Sequence, residues 1–279
     1  MWRMRVIHAT GYAYKGPVTA SYNEARVTPR SDSRQNVIIN RVETAPATRS
    51  YRYTDYWGTV VTAFDLHAPH VELEVTSSSV VETDSQDVAG ADAGWADLQS
   101  GAVADRYHEF LTPTAYTPAS KRIDRVARQL AKSHDPRNAV LGAVEWVRKE
   151  LDYVPGTTGV HSSGLDALQE GKGVCQDFAH LTLILLRAMG IPARYVSGYL
   201  HPKSDAAIGE AVEGESHAWI QAWTGGWWHY DPTNDSAINE QYISVGSGRS
   251  YADVPPLKGI YLGHGSSDLD VLVEMTRLA

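Results

Sequence analysis

The residues whose types could do chemistry together are Cys175, His217 and Asp231. Cys175 follows Gly171-Lys172-Gly173-Val174 and opens an apolar segment, which predicts a thiol at the N-terminus of a helix. The positive end of the helix dipole favours a thiolate there. Unpaired first-turn N–H groups could also donate to an oxyanion. Taken alone, a free cysteine is more often a small buried hydrophobe.

His217 and Asp231 gain meaning from strand geometry. Odd positions of the segment 216–223 share one face, so His217, Trp219, Gln221 and Trp223 point together. Trp227, His229 and Asp231 share a face of the next segment. If Thr224-Gly225-Gly226 is a three-residue loop, 223 faces 227, 219 faces 231 and 217 faces 233. His217 and Asp231 are then diagonal neighbours at about 7–8 Å, within reach of each other's side chains. A carboxylate so placed orients the imidazole and leaves its other nitrogen for the thiol. A register slip of one residue would remove the arrangement.

The elements that must hold these groups are legible in outline. Residues 1–95 read as β, with segments Met4–Tyr14, Gln35–Glu43, Ser50–Trp57, Val60–Leu66 and Val71–Val81. Turn residues such as Gly16-Pro17, Pro29, Pro46, Gly58 and Pro69 separate them. This pattern suggests a sandwich-like region. Residues 84–100 read as a linker or as a loop packed by Trp95. Two helices are expected over 119–150, the second capped by Asp135 with Pro136 in its first turn. A third is expected over Cys175–Met189, ended by Gly190 and Pro192. A strand over Ala193–Leu200, the 216–231 hairpin and a closing strand near Asp268–Leu278 complete an α+β chain. The expected division is a β domain at 1–95 and a second unit at 96–279.

Three separated motifs carry a family resemblance. Gly173-Val174-Cys175-Gln176-Asp177-Phe178-Ala179 with Gly190-Ile191-Pro192-Ala193-Arg194-Tyr195, then Ser216-His217-Ala218-Trp219, then Tyr230-Asp231-Pro232-Thr233-Asn234, resemble the bacterial transglutaminase-like cysteine peptidases. The N-terminal β region is similar to the one that precedes the core in that family. The resemblance implies a papain-like core of helices packed on an antiparallel sheet. It also implies a triad of Cys175 as nucleophile, His217 as general acid/base and Asp231 as orienting carboxylate. A cysteine hydrolase acting on amide bonds through a thioester acyl-enzyme is the implied activity. Gln176 and Tyr153 are candidates for the oxyanion side and Trp219 for a wall of the cleft. Gln176 could equally cap the first helical turn.

Composition bounds the alternatives. The net charge of −8 argues against a general nucleic-acid binder. Residues 151–240 hold 11 Asp/Glu against 4 Lys/Arg, which reads as a solvated acidic surface or as steering toward a cation. No run of 18 apolar residues suggests a membrane span. An N-terminus without an apolar h-region, together with a single cysteine, points to a reducing cytoplasm. The 11 histidines include no HExxH, and there are no paired cysteines, so neither a metal nor any other cofactor is expected. The expected partner is a peptide or protein substrate. An acyl-transferring transglutaminase and an inert peptide-binding module are the alternatives.

Overall fold

The computed structural model describes residues 1–85, 92–263 and 267–279. Five strands open the chain: β1 (Trp2–Ala25), β2 (Gln35–Ala45), β3 (Ser50–Thr54), β4 (Val60–Leu66) and β5 (His70–Thr83). Part of the expected linker, 86–91, lies outside the described residues. Past it come short helices α1 (Trp95–Leu98), α2 (Gly101–Arg106) and α3 (His108–Leu111). Trp95 does pack this stretch, donating its indole N–H to the His134 carbonyl at 2.9 Å.

The second half holds α4 (Lys121–Ser133), α5 (Pro136–Glu150), β6 (Asp152–Tyr153), α6 (Gly164–Glu170), β7 (Lys172–Gly173) and α7 (Cys175–Ala188). Then follow β8 (Ala193–Leu200), β9 (Ala211–Glu213), β10 (Glu215–Trp223), β11 (Trp227–Asp231), β12 (Ser236–Ala237), β13 (Tyr242–Gly248), a 3-10 turn at Tyr251–Asp253, β14 (Leu257–Gly263) and β15 (Ser267–Arg277). The class is α+β, as expected.

The five N-terminal strands join β9, β14 and β15 in one curled antiparallel sheet of eight strands. The long β1 is its spine. Residues Met4–Tyr14 pair with β15 and Trp2–Ala13 with β5, whereas Ser21–Ala25 pair with β4. Gly16-Pro17, expected as a turn, instead marks a register shift inside this single strand, where it changes partners. A proline without an N–H is tolerated at such an irregularity. The last two strands return to this sheet. Residues 257–263 and 267–277 therefore extend the N-terminal sheet, although the division at residue 95 assigned them to the second unit.

The second sheet runs β12-β11-β10-β8-β13, all antiparallel. Helix α7 packs on it, and α4, α5 and α6 enclose α7. Every residue of α7 from Gln176 to Arg187 is buried. A helix covered on all sides belongs at the centre of a core. Its C-terminus is as expected, with Gly190 at φ +79° ending it. Asp135 caps α5 by accepting from the Asn138 N–H at 3.0 Å, a contact of about 1 kcal/mol. The two sheets join through Met4, Val6 and Met275 on one side and Tyr199 and Ile243 on the other. The His8 Nδ1 also lies 2.9 Å from the Tyr199 hydroxyl across this junction.

Candidate active site

The expected hairpin register is the observed one. Trp223 pairs with Trp227, Gln221 with His229 and Ile220 with Tyr230. The diagonal contact follows, and His217 Nε2 meets Asp231 Oδ2 at 2.7 Å. Both side chains are buried, Asp231 completely.

Asp231 is held on every side. Its Oδ1 accepts from the backbone N–H groups of Thr233 at 2.8 Å and Asn234 at 3.2 Å. Its Oδ2 accepts from the Asn234 amide at 2.8 Å and from the Tyr242 hydroxyl at 2.8 Å, in addition to His217. Burial works against the carboxylate, but the hydrogen bond and charge of His217, then Asn234 and Tyr242, keep its pKa below the ordinary value. The sequence pattern assigns no role to Tyr242, and Asn234 enters it only within the motif 230–234. Asn234 had a local signal, three residues past Asp231 in a turn. Tyr242 had none, since β13 reaches Asp231 only through the order of strands in the sheet.

Cys175 stands partly buried at the first position of α7. With Nε2 on Asp231, the imidazole has Nδ1 free for the thiol. Burial disfavours a charged His217, but the hydrogen bonds to Asp231 and Cys175 and their charges outweigh it, raising the ring to about 10. The arrangement is a thiol, an imidazole held protonated beside it, and a buried carboxylate that fixes the imidazole.

The other expected residues divide. Tyr153 lies close by, because the parallel pair β6–β7 sets it opposite Gly173. Its phenol is raised by burial and then by the influence of Cys175, Glu215 and Asp231. Gln176 lines the cleft beside Cys175, with its amide 3.4 Å from the Val160 carbonyl. The side chain that caps α7 is a different one. Asp177 accepts from the Val174 N–H at 2.8 Å and from the Thr158 hydroxyl at 2.6 Å. An acid at the third helical position was the available signal for it. Trp219 does not wall the cleft. It is completely buried and stacks beneath His217, with ring centroids 6.2 Å apart. Its indole N–H donates to His229 Nδ1 at 2.9 Å, which commits His229 to a structural hydrogen bond. No group of metal-ligating side chains occurs among the described residues, and no described helix is long and apolar enough to cross a membrane.

Cys175 and His217 open into a cleft of about 660 Å³ between the two sheets. One wall is the start of α7 with Ser197, Ser216 and Ala218. The other is β1, β14 and β15, with Thr10, Tyr12, Leu257 and Val271. Residues of the segment 251–259 also line the cleft. That segment is tied to the nucleophile helix, since Arg187 donates to the Arg249 carbonyl at 2.6 Å and the Tyr251 N–H donates to His180 Nε2 at 3.1 Å. Burial keeps His180 neutral by lowering its pKa to about 3, which leaves Nε2 able to accept.

Comparison with known proteins identifies the family. The Transglutaminase-like superfamily matches residues 124–232, and the bacterial transglutaminase-like N-terminal region matches residues 4–82. An uncharacterized protein of Mycobacterium leprae is 70% identical over 279 residues, covering 100% of each chain. The chain belongs to the transglutaminase-like superfamily. Another member, an uncharacterized protein of Mycobacterium tuberculosis, is 35% identical over 300 residues, covering 98% of this chain and 92% of its own. A Pseudomonas aeruginosa protein named protein-glutamine gamma-glutamyltransferase is 28% identical over 122 residues, which are 40% of this chain and 18% of that one. The transglutaminase-like fold is shared with a crystal structure described as a proposed cysteine protease from Cytophaga hutchinsonii. The TM-score is 0.79 at 21% identity, covering 100% of this chain and 91% of that one.

Proposed function

We propose that this protein is a cysteine hydrolase of amide bonds, with Cys175 as nucleophile, His217 as general acid/base and Asp231 as the group that orients His217. The observation that carries the reading is the 2.7 Å contact between His217 Nε2 and a fully buried Asp231, with Cys175 acting on the same ring.

The steps follow from that arrangement. The Cys175 sulfur attacks the amide carbonyl carbon, its proton residing on His217. The Val174, Asp177 and Phe178 N–H groups are already paired, which leaves those of Cys175 and Gln176 to donate to the oxyanion. His217 passes its proton to the amine nitrogen as the C–N bond breaks, leaving a thioester on Cys175. Water then attacks the thioester while His217 takes a proton from it, and a carboxylic acid leaves as the thiol is restored. General acid/base catalysis contributes about 10²–10⁴-fold.

Transfer of the acyl group to an amine is the competing outcome, and the name of the Pseudomonas aeruginosa relative brings it forward. Hydrolysis is favoured by the lining of the cleft. Among the described residues it has no Asp or Glu to hold an ammonium group, and its one residue of fixed charge is Lys258. The expected substrate is a peptide or protein. The test is turnover of a peptide library, with and without a fluorescent primary amine. The proposal expects new carboxylic acid and no amine incorporation from wild type, and neither from Cys175→Ala. Turnover retained by Cys175→Ala overturns the cysteine mechanism; amine incorporation replaces hydrolysis with transfer.

A further inference from the structure

On β15 the inward face stays apolar past the point where the described residues stop covering it. Along β1 and β15 the cross-strand pairs on that face run Val6 with Met275, His8 with Val273, Thr10 with Val271 and Tyr12 with Leu269. Met275 and Val273 are 0% and 5% exposed, within the junction of the two sheets. Two residues further along, Val271 is 46% exposed, and Leu269 after it is 56% exposed. The period-2 apolar pattern thus runs on from the core into open space. That space is the cleft holding Cys175 and His217, whose lining includes both of these side chains together with Tyr12 and Leu257. No carboxylate lines it among the described residues, and Lys258 sits opposite Glu24 on the neighbouring strand. An apolar wall across the cleft from the nucleophile is where a substrate's apolar side chain would leave water.

We infer that this wall, centred on Leu269 and Val271, is a specificity subsite that seats a bulky aliphatic or aromatic side chain next to the scissile amide. The inference rests on the cysteine chemistry proposed above and adds the substrate class. In it the second unit carries the reaction, and the N-terminal sheet selects what is presented to it.

The test uses acetyl-Gly-X-chloromethyl ketones with X as Leu, Phe, Gly, Asp or Lys. The Cys175 sulfur displaces chloride to form a thioether, and the proton that the sulfur gave up stays on His217. Each alkylation rate is divided by that of iodoacetamide on the same protein, which cancels changes in the thiol itself. X as Leu or Phe should react at least about tenfold faster than X as Asp. Leu269→Asp and Val271→Asp, both at exposed positions, should each bring that ratio toward one. Equal rates for Leu and Asp in wild type overturn the subsite, as does an unchanged ratio in both variants. Wild type eluting as a dimer with no preference among X assigns the wall to a second copy and also overturns it. A protein that hydrolyses no amide but still prefers Leu keeps the subsite and loses the hydrolase reading. One that hydrolyses amides without preference does the reverse.

Discussion

Asp231 concentrates the site's order in a single buried carboxylate. Two backbone N–H groups fix Oδ1, while His217, Asn234 and Tyr242 converge on Oδ2. Losing one donor to a buried charge costs about 1.5–3 kcal/mol, so Tyr242→Phe should destabilise the fold by about that much at pH 7. The sign follows from the direction of the Asp231 shift. A carboxylate lowered in the folded state stabilises above its unfolded pKa, and that contribution is lost as pH falls through the folded value. The penalty of Tyr242→Phe should therefore shrink in acid, as urea unfolding at pH 7 and pH 3 would reveal. An equal penalty at both pH values would mean that the hydroxyl does not serve the charge. At this scale the sequence yields the three residues that obey a local rule: one at a helix start and two on a shared strand face. It leaves Trp219 between a cleft wall and a core role, because alternation gives the face of the sheet but not which neighbours cover it. Tyr242 stays hidden because its contact depends on strand order across the whole sheet.

The elements place these side chains with little slack. The hairpin of β10 and β11 sets His217 against Asp231, and β8 backs it, with Gly198 directly paired to His217. A Cβ at Gly198 would sit 2.1 Å from the Ile243 carbonyl oxygen and 2.5 Å from the Trp219 ring. Gly198→Ala should force β8 from β13 and press Trp219 toward His217. A loss of about 1–3 kcal/mol is expected from such overpacking, with slower Cys175 alkylation. Gly11→Ala, where a Cβ meets nothing within 4 Å, is the matched control. Thermal melts of both variants decide it, and equal melting temperatures would contradict the packing described. The helix of Cys175 and the hairpin register are legible because each is set by a short-range signal, an apolar run with a glycine stop and a two-glycine turn. The tiny pair β6–β7 escapes notice because it spans too few residues to show a period.

At the scale of the molecule, the cleft exists only because the chain returns. β14 and β15 pair with β1 after the second sheet is complete, and their inner face becomes the wall opposite Cys175. A closing strand is readable from alternation, but the edge it joins is a long-range choice that no local pattern encodes. Charge behaves similarly. The acidity of residues 151–240 is visible in composition, yet the described cleft lining carries none of it. The central claim, a thiol paired with a protonated imidazole, is tested most directly by iodoacetamide alkylation of Cys175, the only cysteine, from pH 4 to 10. His217, raised well above an ordinary imidazole by its hydrogen bonds to Asp231 and Cys175, keeps its proton through neutral pH and loses it only in alkali. Wild type should therefore react faster than His217→Ala at neutral and acidic pH, with the gap closing as pH approaches 10. Superimposable profiles for the two proteins would contradict the account.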